Sequence, residues 1–224
     1  PTHSIEHAIG SEHDLDVEQL DALLTRHDKS LMVLAAPAHP DARERVTPAL
    51  VTRVLRTLRE SFDHVVVDTA PAFDEQVLTA LDETDECVIV ATLDVPTLKN
   101  VKVALETLDM LDIARGHRHL LLNRADDAVG IGPEKVEAIL GMPIATQVGS
   151  SIDIAASTNS GTPLVVDSPD HAGSTALRRF AATLSGESGS AAPGPDADDG
   201  AGSQERPEGT SGRGRARFRM RRPG

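Results

Sequence analysis

Short apolar runs separated by segments of helical period constrain this chain more than any other feature. The runs Leu31–Ala35, His64–Asp68, Cys87–Ala91, His119–Asn123 and Ile144–Val148 are each five residues long and dominated by Val, Leu, Ile and Ala. That length suits buried strands. Between them lie helix signals. Thr47-Pro48 is a start, with Thr as the cap and Pro in the first turn, and Val51, Val54, Leu55 and Leu58 then share one face. Val77, Leu78 and Leu81 mark a second helix. Leu98, Val101, Ala104, Leu105, Leu108 and Leu111 mark a long amphipathic one. Val136, Ile139 and Leu140 mark a fourth, and Leu177, Ala181 and Leu184 a closing one. Strands alternating with helices predict βαβ units, hence an α/β fold with a mostly parallel sheet flanked by helices. Ligands in such sheets bind beyond the carboxyl ends of the strands, so the residues just after each run are the places to inspect.

Composition agrees with this layout. Hydrophobic residues make up 39% of the chain but aromatics only 2%, with no Trp or Tyr. A core of Val, Leu, Ile and Ala fits a sheet covered on both faces. The shortage of aromatics excludes a stacking platform for single-stranded nucleic acid. From Arg206 to Gly224 there are seven Arg against one Glu, a local charge of +6; taking that from the chain's −13 leaves −19 for the rest. An acidic body does not grip DNA, and no specific nucleic-acid partner is expected. The one cysteine, Cys87, makes no internal disulfide, and no Cys/His cluster has zinc spacing. The expected setting is a reducing cytoplasm. No apolar run reaches the length of a membrane span.

Two domains are expected: residues 1–185 as the α/β part, and residues 186–224 as a disordered tail of Gly, Ser, Pro and acidic residues ending in an Arg-rich segment. Arg213–Arg222 alternates Arg with other residues rather than following a helical stripe. It reads either as a solvated end or as a contact for anionic lipid. The chain opens with Pro1, not Met, either because the start has been removed or because this is a piece of a longer protein.

Two strand ends carry candidate chemistry. The run Val65-Val66-Val67-Asp68-Thr69-Ala70-Pro71 ends in a carboxylate at the ligand side, where a P-loop NTPase holds magnesium, a hard cation that prefers oxygen. Taken alone, Asp68 also reads as a turn or helix cap. Leu120-Leu121-Leu122-Asn123-Arg124-Ala125-Asp126 ends in an amide that offers both donor and acceptor to a purine edge, beside a planar guanidinium able to stack on a base. Asn123 also reads as the start of an ordinary turn.

In this order and spacing, the two elements resemble the MinD/ParA branch of P-loop ATPases. The similarity is greatest to its TadZ/CpaE-like group, associated with Flp-type pilus assembly. The resemblance also runs through Asp85–Lys99 and Ser150–Val165, and covers roughly residues 1–184. It implies a mainly parallel sheet, an ATP-sandwiched homodimer, ATP and magnesium as cofactors, and pilus assembly proteins as partners. It further implies a cytoplasmic protein, with a peripheral position at the inner face of the bacterial membrane as the extension of that reading. Residue by residue, it makes Asp68 the catalytic Walker B carboxylate, near magnesium through water. Thr69, Ala70 and Pro71 become the start of switch II. Asn123 and Arg124 become adenine contacts, with Val148, Gly149 and Ser150 on the other side of the base.

The family's phosphate loop is absent from these residues. No G-x-x-x-x-G-K-[ST] occurs, and Lys29, Lys99, Lys102 and Lys135 are the only lysines. The expected fold therefore lacks the P-loop strand and helix, and its neighbouring strands are expected to lose ladder partners and expose apolar surface. On this reading the chain is a poor ATPase by itself, active only within a longer parent. A non-enzymatic scaffold and a related GTPase, with Asp126 reading guanine, are the alternatives.

Overall fold

The computed structural model describes residues 3–126 and 131–186. These begin with a short 3-10 turn, Ile5–Ala8, and α1 (Val17–Asp21), then the two-residue strands β1 (Thr25–Arg26) and β2 (Met32–Val33). Three helices follow: α2 (Pro40–Glu44), α3 (Pro48–Ser61) and α4 (Glu75–Asp82). The rest alternates: β3 (Cys87–Ala91), α5 (Val95–Met110), β4 (Arg118–Asn123), α6 (Pro133–Leu140) and β5 (Ile144–Val148). The helices α7 (Ile152–Ser160), α8 (Leu164–Asp167) and α9 (Ala172–Leu184) close it. The expected tail, including Arg213–Arg222, lies outside the described residues.

The sheet is parallel, in the order β3-β4-β5. Ile89 stands opposite Leu120 and Ala91 opposite Leu122, while Leu120 faces Ile144 on the other side. The central strand is thus the most buried, and Leu120 and Leu122 have no exposed surface. One sheet face packs under α5 and α6, with Leu98, Val101, Leu105, Val136 and Leu140 closing the cluster. The other face is covered where α9 lies over β5, and Phe180 meets His119 edge-on at 6.0 Å. Val88 and Val90, which share the face of His119 and Leu121, stay 39% and 54% exposed.

A second apolar cluster joins Ala8, Leu15, Leu20, Val46, Leu50 and Val54. It connects to the sheet part through α3 against α4 and two ion pairs, Arg56 with Glu83 (2.6 Å) and Arg59 with Asp85 (3.0 Å). The core is therefore divided.

The division explains the clearest departure from the sequence reading. His64–Asp68 does not form a strand, although its Val65-Val66-Val67 run is as apolar as that of β3. Val66 is 93% exposed. A strand exists only when a neighbour accepts its backbone hydrogen bonds, and among the described residues no strand pairs with this segment or with the outer edge of β3. Bare apolar edges are what the sequence led one to expect. Leu31–Ala35 likewise contracts to Met32–Val33, which pairs only with Thr25–Arg26.

Helix starts follow local capping chemistry. The Thr47 side chain accepts the Leu50 N–H (3.1 Å), Asp74 that of Val77 (2.9 Å) and Asp94 that of Thr97 (2.9 Å). Asp94, part of the segment singled out by resemblance, is thus engaged as a cap. Its carboxyl is held below the ordinary range by the Thr92 hydroxyl and then by the Thr97 N–H. Thr47→Ala is expected to lower the unfolding free energy by about 1 kcal/mol, read as a lower urea midpoint, with Thr47→Ser retaining most of it.

Candidate functional site

β4 and β5 end side by side, Asn123 opposite Val148, so both loops leave from the carboxyl edge of the sheet. Asn123 turns its Oδ1 to accept the Arg124 N–H at 3.0 Å, which leaves its amide nitrogen free of that bond. Arg124 has φ +52°, left-handed for a non-glycine residue. Such backbone costs on the order of 1 kcal/mol and needs support around it. The support is visible. The Ala125 N–H donates to the Val148 carbonyl (3.0 Å), and the Asp126 N–H folds back onto the Arg124 carbonyl (3.0 Å).

Asp126 then ties the two loops together. Its Oδ1 accepts the Ser150 N–H at 3.0 Å. The Ser150 hydroxyl, and after it that N–H, holds the Asp126 carboxyl below the ordinary range. The folded-state value is lowered, so this support is complete above the unfolded carboxylate range and is lost as pH falls through the lowered value. A Cβ at Gly149 would reach only ordinary contact with the Ala125 carbonyl and Asp126 Oδ1, both at 3.9 Å, so packing does not demand glycine there.

These loops form one side of a cleft of about 640 Å³, and α7 forms the other. Asn123, Arg124, Gly149 and Ser150 all line it, joined by Ser151, Ile154, Ala155, Thr158 and Asn159. The volume is that of a small-molecule site. Four of the residues singled out from sequence are thereby brought together. Val148 is buried (5% exposed) and holds the loop through its carbonyl rather than lining the cleft. Asp68, Thr69, Ala70 and Pro71 stand outside the lining, and Asp68 is exposed.

The resemblance marks the segment that holds α7, but no helix was expected there and none of its residues was named as lining the site. Its signals were Ser151, whose hydroxyl accepts the Asp153 N–H (3.1 Å), and Gly161, the left-handed end of the helix at φ +73°. Among the described residues no group of three or more His, Cys, Asp or Glu side chains could hold a metal ion. None of their helices is long and apolar enough to cross a membrane.

A parallel α/β sheet with a cleft at its strand ends is the class the geometry defines, and the layout is the MinD/ParA fold. A ParA family ATPase from Chlorobium tepidum superposes with TM-score 0.76 and 21% identity over 81% of this chain and 76% of that one. The septum site-determining protein MinD of Pyrococcus horikoshii, solved with Mg-ADP, superposes with TM-score 0.69 at 17% identity, over 82% and 74%. In sequence, the chain is similar to the septum site-determining protein MinD of Bacillus subtilis, 22% identical over 166 residues. That match takes in 70% of this chain and 60% of the relative, so the chain spans less than two thirds of the relative's length. No family model matches.

Proposed function

We propose that this chain supplies the base-binding part of a MinD/ParA-like ATPase of the TadZ/CpaE-like kind. The observation that carries the reading is the cleft at the ends of β4 and β5, where Asn123, Arg124, Gly149 and Ser150 converge. An amide at the mouth of a cleft of this size suits a purine edge, and the neighbouring guanidinium suits its ring face.

The residues fit the base and not the phosphates. No glycine-rich loop with its lysine occurs in the sequence, and the residues that line the cleft are neutral apart from Arg124. ATP hydrolysis is accordingly assigned to a longer protein whose P-loop strand lies between His64–Asp68 and β3. The bare Val66 and the open edge of β3 support that placement. In that protein Asp68 stands near magnesium through water, with Thr69, Ala70 and Pro71 in the switch segment. The protein acts as a homodimer that positions a pilus assembly machine at the membrane. Arg213–Arg222, outside the described residues, is the segment whose charge suits anionic lipid.

Adenine is favoured over guanine for a specific reason. Reading guanine needs both oxygens of the Asp126 carboxylate turned to the base, whereas Oδ1 is tied to the Ser150 N–H and Asp126 is not among the residues that line the cleft.

Magnesium-dependent binding of a fluorescent ATP analogue tests the reading. It is measured on this chain and on the chain extended upstream to its nearest start codon. Binding by the extended form, at least tenfold tighter than by this chain and tighter than for GTP, is the expected result. Binding by neither form overturns it in favour of a non-enzymatic scaffold.

A further inference from the structure

One imidazole connects the wall of the cleft to the last helix. His171 precedes α9, and its Nδ1 accepts the Gly173 N–H at 3.0 Å, capping that helix. The acceptor role at Nδ1 leaves the proton of the neutral ring on Nε2. Nε2 lies 3.2 Å from Ser151 Oγ and donates to it. Ser151 in turn caps α7 by accepting the Asp153 N–H, and it lines the cleft. The fit at Gly173 is close: a Cβ there would stand 3.2 Å from His171 Nδ1 and 3.5 Å from Leu164 Cδ2.

We propose that His171 is a positioning residue for the cleft. Its neutral ring joins the amino termini of α7 and α9, and protonation uncouples them. The chemistry follows from the bond directions. A proton added at Nδ1 turns the acceptor into a donor facing the Gly173 N–H, at the helix end where the macrodipole already disfavours positive charge. The same proton favours the α7 end of the bridge over the α9 end, because Asp153 Oδ2, on α7 beside Ser151, lies 3.9 Å from Nε2 and is largely exposed.

Two other charged groups on the packed elements are engaged elsewhere. On α8, the Asp167 carboxylate accepts from the Ser168 hydroxyl (3.2 Å). On α9, Arg178 donates to the Val165 (2.6 Å) and Pro169 (3.3 Å) carbonyls. Asp170 adjoins His171 in the chain. The inference rests on the base-site reading only for its effect on a bound nucleotide.

The test uses nuclear magnetic resonance on the chain as it exists, between about pH 8 and pH 5. At high pH the His171 ring is expected to show the Nε2–H form. On acidification, the Gly173 amide should lose its hydrogen bond and shift upfield, and Ser151 and Asp153 should shift with the same midpoint as the ring. In His171→Asn the shorter amide still caps α9 but no longer reaches Ser151. There Gly173 should stay bonded at every pH, and Ser151 and Asp153 should each hold one pH-independent position. An Nδ1–H ring at high pH overturns the proposal, as do Ser151 and Asp153 shifts that ignore the His171 midpoint. A failed ATP-analogue titration leaves these amide results unchanged, so the two readings fail separately.

Discussion

Leu120→Ala is expected to lower the unfolding free energy by about 3 kcal/mol, the middle of the range for truncating a fully buried leucine. Leu120 has no exposed surface and sits in the central strand, between Ile89 on one side and Ile144 on the other. Removing it opens a void that β3 and β5 cannot close without breaking register. The loss is large against the whole stability of a domain, on the order of 5–15 kcal/mol. It is larger still in relative terms here, because the core is divided into two clusters and each buries less than a single core would. Urea unfolding followed by far-UV circular dichroism reads the effect as a lower midpoint at unchanged slope. A shift worth under about 1 kcal/mol would mean that the sheet cluster is loosely packed and that stability resides around Leu50 and Val54. Leu122→Ala, equally buried on the same strand, provides the internal check.

Particular segments show what could be read from sequence and what could not. Cys87–Ala91 and Ile144–Val148 are strands to the residue, and β4 begins one residue before the expected His119. Each has a neighbour to pair with, so an apolar run of strand length was enough. His64–Asp68 has the same character without a partner, and it forms no strand. Periodicity encodes which side chains favour burial; it does not encode whether a ladder partner is present. The short helices were missed for a different reason. α1 is announced by an Asp16–Gln19 capping box, but five residues carry almost no periodic signal. α7 is rich in Ser, Thr and Asn, which favour caps and turns over helix interiors. At the site, the strand-end rule located Asn123, and the family resemblance marked Gly149 and Ser150. The bond from Ser150 to Asp126 joins residues 24 apart in sequence, and no local pattern could announce it.

The open edge of β3 leads to the second large effect. Substituting both Val88 and Val90 by Lys is expected to weaken self-association on the order of tenfold, about 1.4 kcal/mol. Val88 and Val90 are 39% and 54% exposed on the uncovered part of one sheet face, next to a strand edge with no partner among the described residues. An apolar edge of this kind templates pairing with another chain, and natural edges are protected by lysine for that reason. Two added lysines bring the net charge from −13 to −11, which by itself weakens repulsion between copies. A gain in monomer can therefore come only from the edge and not from overall charge. Both positions are half-exposed or nearly so, and the folded state should change by no more than about 0.5 kcal/mol per site. Sedimentation velocity at micromolar concentration reads the outcome. The parent chain should populate species larger than its 23.7 kDa monomer, and the double variant should move that population back. If the parent is monomeric and the variant less stable, something already covers β3. The bare strand would then not be the point at which a missing neighbour is felt.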